Sequence, residues 1–258
     1  MRYLYWLVLI VLTVTLSGGC LQQLNRDSLY QSSTLGALSE GIYDGDTTIR
    51  DLKKYGDTGI GTFNALDGEM IALDGKFYQV KFDGSVVEVD EGAKTPFALV
   101  KKFQTDRTLS AGSSLNYSRL IGYLDANLPT GNIFYAIKIK GNFAYVKTRS
   151  VQRQKPPYPR LIDAVKNQSI FEFKNVRGTI IGFRFPDYAA GINMPGYHLH
   201  FITGDKKGGG HLFDCEIKNA SIQMDYSHDI YLIVPSGGLF YKMTSQKDSK
   251  KELEQIEK

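Results

Sequence analysis

An α+β fold, with two β-rich lobes of mixed and antiparallel sheets and a few short helices, is what the sequence predicts. Three observations lead to it. Short apolar runs punctuated by Gly and Asp-Gly pairs recur from Gly59 onward, which is the mark of strands joined by tight hairpins. No strand–helix–strand alternation accompanies them, and that argues against a doubly wound parallel sheet. The 16 Tyr and 14 Phe among 258 residues also lean the composition toward strands.

Taken in order, Leu29-Tyr30-Gln31 has strand character, and Thr34 is placed to cap a helix carrying Leu35, Leu38 and Ile42 at helical spacing, ended near Gly45. Residues 47–56 read as a second short helix with a Gly stop. Met70 to Leu73, the Asp74-Gly75 pair and Lys76 to Val80 form a hairpin, and Asp83-Gly84 leads into a further strand at Val86 to Val89. Later strands are expected at 133–139, 144–148, 178–185, 198–203, 212–217 and 230–234, with helices at 118–128 and 160–167. Three prolines in Gln152 to Pro159 fit neither a central strand nor a helix interior. A lobe boundary is expected there, giving lobes at 29–152 and 153–248 and a polar tail at 249–258.

The bulk numbers narrow the function. Hydrophobic residues at 42% and charged residues at 22% describe a folded chain. A net charge of +4, spread rather than blocked, does not mark a nucleic-acid binder. The first twenty residues differ from the rest. Met1-Arg2, an apolar run from Tyr3 to Leu16 and then Ser17-Gly18-Gly19-Cys20 have the pattern of an export signal, and the run is shorter than the roughly 20 residues a bilayer span needs. Cys20 after two glycines resembles a lipobox, although Leu16 stands one place further from it than usual. Export with membrane anchoring through a lipid on Cys20 is the expectation, followed by a linker at 21–28. With Cys20 so used, Cys215 has no disulfide partner and reads as a small buried hydrophobe.

Three of the four His fall within fourteen residues, at His198, His200 and His211, around a Gly-rich run from Gly204 to Gly210. Two residues apart on a strand, His198 and His200 share a face with Cα atoms about 7 Å apart. A hairpin pivoting near residues 205 and 206 sets His211 opposite His200, and directly opposed residues also share a face. Three imidazoles then converge on one point, so the fold is expected to carry a metal site on a strand hairpin, with Zn2+ the ion best suited to three His. His228 stands apart and reads as a loop residue.

The residues around this trio carry a family resemblance. Gly56 to Met70, Leu29-Tyr30-Gln31, Tyr43-Asp44-Gly45-Asp46, Asp74 to Tyr78, Val146 to Val151 and Gly196 to Phe201 together resemble the α-acetolactate decarboxylases, in order and over nearly all of the chain from Leu29 onward. The resemblance implies that His198, His200 and His211 hold zinc. It implies that Glu69 is an active-site carboxylate, Arg149 the active-site guanidinium and Thr62 a polar group of the same pocket. It also implies a carboxylate brought to the metal from the C-terminal tail, matched best by Glu257 with Glu254 as the alternate. The substrate implied is 2-acetolactate, the product acetoin, and the expected assembly a homodimer.

The chemistry is consistent with these residue types. Loss of CO2 from a 2-hydroxy-3-keto acid leaves an enediolate, and a cation chelating the ketone and hydroxyl oxygens stabilises the charge as it develops. Arg149 can orient the carboxylate. Glu69, if burial raises its pKa, can return a proton to carbon. Rival readings are a zinc hydrolase, a cupin-like metal-binding module and a metal-capturing lipoprotein. The first lacks a Gly-x-Ser-x-Gly elbow and a His-Glu-x-x-His helix. The second wants a carboxylate where Asp205 sits inside the turn, and the third lacks a His- or acid-rich loop.

Overall fold

In the computed structural model, residues 27–112 and 114–243 are described. The export segment, Cys20, the linker up to residue 26 and both tail glutamates, Glu254 and Glu257, lie outside the described residues.

Strand β1 (Leu29–Ser32) runs into helix α1 (Leu35–Ser39), where the Thr34 hydroxyl accepts from the Ala37 amide. The helix is shorter than its spacing predicts, because Gly41 adopts φ +80° and turns the chain away before Ile42. After β2 (Thr47–Thr48), helix α2 (Ile49–Tyr55) opens with a reciprocal capping box between Thr48 and Asp51. Strands β3 (Thr58–Thr62), β4 (Glu69–Leu73), β5 (Lys76–Val80), β6 (Val86–Glu88), β7 (Lys94–Thr95) and β8 (Ala98–Lys101) follow. Positive φ at both Asp74 and Gly75 gives the β4–β5 hairpin the tight primed turn its Asp-Gly pair predicts. Strands β9 (Arg107–Ala111) and β10 (Leu115–Asn116) lead to α3 (Tyr117–Asp125). The rest is β11 (Phe134–Ser150), α4 (Leu161–Ala164), β12 (Ser169–Phe185), β13 (Gly196–Thr203), β14 (Gly209–Ser227) and β15 (Ile230–Ile233).

Two sheets result. The first has seven strands in the order β15-β1-β8-β3-β4-β5-β6, with β15 parallel to β1. The second has β10-β14-β11-β12-β13 with β9 also on β14, and the additional β13–β14 pairing joins its last strand back to β14. The expected lobe boundary at 152–153 is corrected here. The prolines lie in the connection between β11 and β12, neighbours in one sheet, while β9, β10 and β11 precede them and β15 returns to the first sheet. A proline-rich segment marks a break in local structure, and an antiparallel crossover within one sheet needs such a break as much as a lobe boundary does. The strands expected at 133–139 and 144–148 are likewise one strand of 17 residues, with the Gly141-Asn142 stretch continuing the ladder.

The layers follow from period-two alternation. Helix α2 packs on the outer face of the first sheet over Met70, Phe77 and Val100. Helix α3 packs on the far face of the second over Ile137, Ile139 and Phe201. Between the sheets, Ile60, Ile71 and Val80 meet Ala136, Ile181, Phe183 and Ile202. Thr62 shares the face of Ile60, Glu69 that of Ile71, and His198 and His200 that of Ile202, so all four point into the space between the sheets.

Candidate active site

One end of that intersheet space is polar. Thr62 and Glu69 are paired directly across β3 and β4, joined by a turn in which Gly68 has φ +80°. The Thr62 hydroxyl donates to the Gly68 carbonyl at 2.7 Å. From the second sheet, Arg149 of β11, His211 of β14 and His200 of β13 stand in one cross-strand row, Arg149 opposite His211 and His211 opposite His200. The pivot of the hairpin therefore falls where the glycine run predicts. Register shifts between β11 and β14, the last at Lys147–Thr148, bring Arg149 into this row, as bulges do when they re-aim a side chain. Gly210 makes the row possible. Its φ is +133°, and a Cβ there would collide with the Arg149 carbonyl.

All six polar side chains are buried, from 1% exposure at His200 to 7% at His198. The imidazole centroids lie 5.0–5.3 Å apart, and one nitrogen from each ring lies within 4.8 Å of the others. His200 is held by a hydrogen bond from Nδ1 to the Met70 carbonyl, 3.0 Å. A carbonyl only accepts, so Nδ1 carries the proton and the lone pair of the neutral ring is on Nε2. That Nε2 is buried with no hydrogen-bond partner, 3.7 Å from Glu69 Oε2. Burial, and then the neighbouring His198, hold His200 well below its ordinary value of 6.5, so the ring is neutral at pH 7.

These observations fit a divalent cation. Three buried imidazoles, with one nitrogen of each within 4.8 Å of the others, are a ligand set suited to zinc and to its neighbours among the transition metals. The Met70 carbonyl plays the orienting part that such rings need. The three His can hold a metal ion. Arg149 has a buried Nε without a hydrogen-bond partner, and its guanidinium lies 5.6 Å from the Phe213 ring centroid.

A small cavity of about 30 Å³ opens on these groups. Its other wall is apolar, made of Leu35 and Leu38 of α1, Leu66, Phe97, Val151 and Leu161 of α4. Sequence reasoning missed this wall, and Leu35 and Leu38 gave only the helical spacing. A wider cleft of about 970 Å³ runs past Asp74, Lys138, Lys140 and the 204–208 turn but contains none of the polar groups above. Cys215 is free, buried and pushed up to about 12 by burial, an inert thiol. His228 is an exposed bend residue.

Comparison with known proteins fits this geometry. The family model described as Alpha-acetolactate decarboxylase matches residues 29–247. The alpha-acetolactate decarboxylase of Methanosarcina mazei is 49% identical over 232 residues, covering 90% of this chain and 81% of that protein. That of Methylococcus capsulatus is 44% identical, covering 82% of each. The crystal structure of alpha-acetolactate decarboxylase from Bacillus subtilis strain 168 superposes with a TM-score of 0.88 at 41% identity, over 89% of this chain and 99% of that one. With a family model spanning both sheets, relatives matching over most of their length and the same fold in a solved member, this chain belongs to the alpha-acetolactate decarboxylase family.

Proposed function

We propose that this protein decarboxylates 2-acetolactate to acetoin with zinc held by His198, His200 and His211. The observation that carries the reading is the convergence of three buried His with Glu69 and Arg149 on one cavity at the junction of the sheets. When bound, the cation supplies a Lewis acid for the ketone and hydroxyl oxygens of the acid.

The chain's own groups divide the remaining work. The Arg149 fork, with Nε unsatisfied, binds the carboxylate and orients the bond to be broken out of the plane of the ketone. As CO2 leaves, the electron pair moves onto the ketone oxygen and an enediolate develops. The Thr62 hydroxyl spends its proton on Gly68, so its oxygen accepts from the substrate hydroxyl. Glu69, paired across the ladder from Thr62, delivers a proton to the carbon that lost CO2. The ketone re-forms, and Glu69 regains its proton from solvent. The net reaction consumes one proton and releases one CO2 per acetoin. Burial of every polar group keeps bulk water from competing.

Glu257, or Glu254 in its place, completes the metal surroundings from the tail in this reading. Export, lipid attachment at Cys20 and a homodimeric assembly belong to it as well. Mass spectrometry of the mature N-terminus and light scattering test those three points. The central test is acetoin formation from 2-acetolactate by the purified protein, before and after stripping with a chelator and after return of zinc, iron or manganese. Loss on stripping and recovery with zinc support the reading. Undiminished CO2 release from fully stripped protein overturns the metal, and no acetoin from the zinc-loaded protein overturns the activity.

A further inference from the structure

The two walls of the cavity differ in how they are built, and the difference bears on which acids the site admits. This inference rests on the decarboxylase reading. The polar wall sits on paired strands: β3 with β4, β11 with β14, and β13 with β14. Hydrogen bonds between the sheets, Ser150 hydroxyl to Val80 carbonyl at 2.8 Å and His200 to Met70, tie it further. Half of the apolar wall, beside Leu66, Phe97 and Val151, sits on short helices. Leu35 and Leu38 come from the five residues of α1, and Leu161 from the four residues of α4, which has no side-chain cap.

A cavity of about 30 Å³ holds one or two water molecules, not a five-carbon acid. Room for substrate has to come from one wall. Moving a strand of the polar wall breaks ladder hydrogen bonds in a buried region, each loss leaving unsatisfied groups. Shifting a single helical turn breaks few. The apolar wall therefore yields, and its leucines then lie against the substrate. With carboxylate and oxygens directed to Arg149 and the His cluster, only alkyl groups are left to meet leucine side chains, because a charged group there would be buried without a partner.

We propose that Leu161, with Leu38 on the α1 side, determines substrate specificity by receiving the alkyl group on the carbinol carbon and limiting its length. The methyl-bearing acid fits and the ethyl homologue, 2-ethyl-2-hydroxy-3-oxobutanoate, is disfavoured by about 10-fold or more in kcat/KM, the discrimination one methylene carries in an apolar pocket.

The test measures kcat/KM for both acids in the zinc-loaded protein and three variants, with metal content checked in each. Leu161→Ala is expected to bring the methyl-to-ethyl ratio near one, chiefly through a lower KM for the ethyl acid, at unchanged zinc content. Leu161→Phe, which keeps the core filled, is expected to raise the ratio and serves if the alanine variant does not fold. Ile162→Ala removes the next side chain of α4, packed in the same core but outside the cavity, and is expected to leave the ratio unmoved. A ratio within two-fold of wild type in both Leu161 variants overturns the proposal, as does an equal shift in Ile162→Ala. CO2 release from neither acid by the wild-type protein overturns the decarboxylase reading instead, a result distinguishable from an unmoved ratio.

Discussion

The space between the two sheets contains two buried polar groupings that look alike by composition and differ in what they leave unsatisfied. At one place Lys101 of β8 and Asp225 of β14 form an ion pair at 3.2 Å, with side chains 0% and 2% exposed. The Asp225 carboxylate also accepts from the Gln104 amide at 2.6 Å, so its charge is matched by a cation and a donor. At the other, His200 Nε2 and Arg149 Nε are buried with no hydrogen-bond partner and line one cavity. Both groupings join the sheets. Burial of ionisable groups is thus not in itself the mark of a site, since a satisfied pair is structure. The mark is valence left over and aimed at a shared point.

That contrast is breakable, and the largest effect is expected at the His cluster. His200→Ala should lose zinc and activity together, by about a thousand-fold or more in kcat given the several kcal/mol a Lewis acid contributes. Metal analysis beside the rate checks it, and a metal-free variant of ordinary activity would dissolve the distinction. Glu69→Gln should keep its metal content and lose turnover by about 100- to 10,000-fold, the span of a positioned proton donor. Full activity would remove Glu69 from the proton path.

At the satisfied pair the effect should appear in stability and not in rate. Asp225→Asn takes the carboxylate away from the buried Lys101 ammonium and should cost about 3–5 kcal/mol in urea unfolding, with kcat per folded, metal-loaded molecule unchanged. A fall in kcat matching the loss of stability would make the pair part of the catalytic apparatus.

The smallest effect is in pH dependence, and the two regions should move oppositely. With His200 held below 6.5 by burial and by His198, the unfolded chain takes up a proton that the metal-free folded chain refuses. Its contribution to stability is therefore lost as pH falls below 6.5, levelling only under the folded pKa. Burial pushes Asp225 up to about 6 from 3.8, against the Gln104 amide and Lys101. The folded chain then takes the proton first, so between pH 6 and 3.8 this group favours folding as acid is added. Metal-free Asp225→Asn should consequently lose stability more steeply than wild type on acidification through that window. Parallel curves would contradict the opposition.

Legibility in the sequence tracked locality. The Asp74-Gly75 turn, the Thr34 cap and the His hairpin are each decided within about a dozen residues, and each stands where its pattern placed it. His211 in particular follows from a pivot at 205 and 206. Thr62 and Glu69 were reached through family resemblance, because the turn that pairs them, with Gly68 at positive φ, has no spacing of its own to announce it. Strict alternation does not predict Arg149 in the row with His211, since register shifts intervene along β11 and β14. The apolar wall was illegible for a different reason: Leu38 and Leu161 are 123 positions apart and resemble any other core leucine. Even the prolines at 156, 157 and 159 reported a local break faithfully, and only the architecture around them decided what the break meant.

The residues for a cation occupy the place where β13 turns back onto β14 and the second sheet meets its own edge. A slip of one position in that hairpin would send His200 and His211 to opposite sides, so the site exists only in the correctly zipped fold. An ion bound there acts as a rivet that rewards one alignment over its neighbours, and saturating metal should raise the melting temperature in proportion to the logarithm of its concentration.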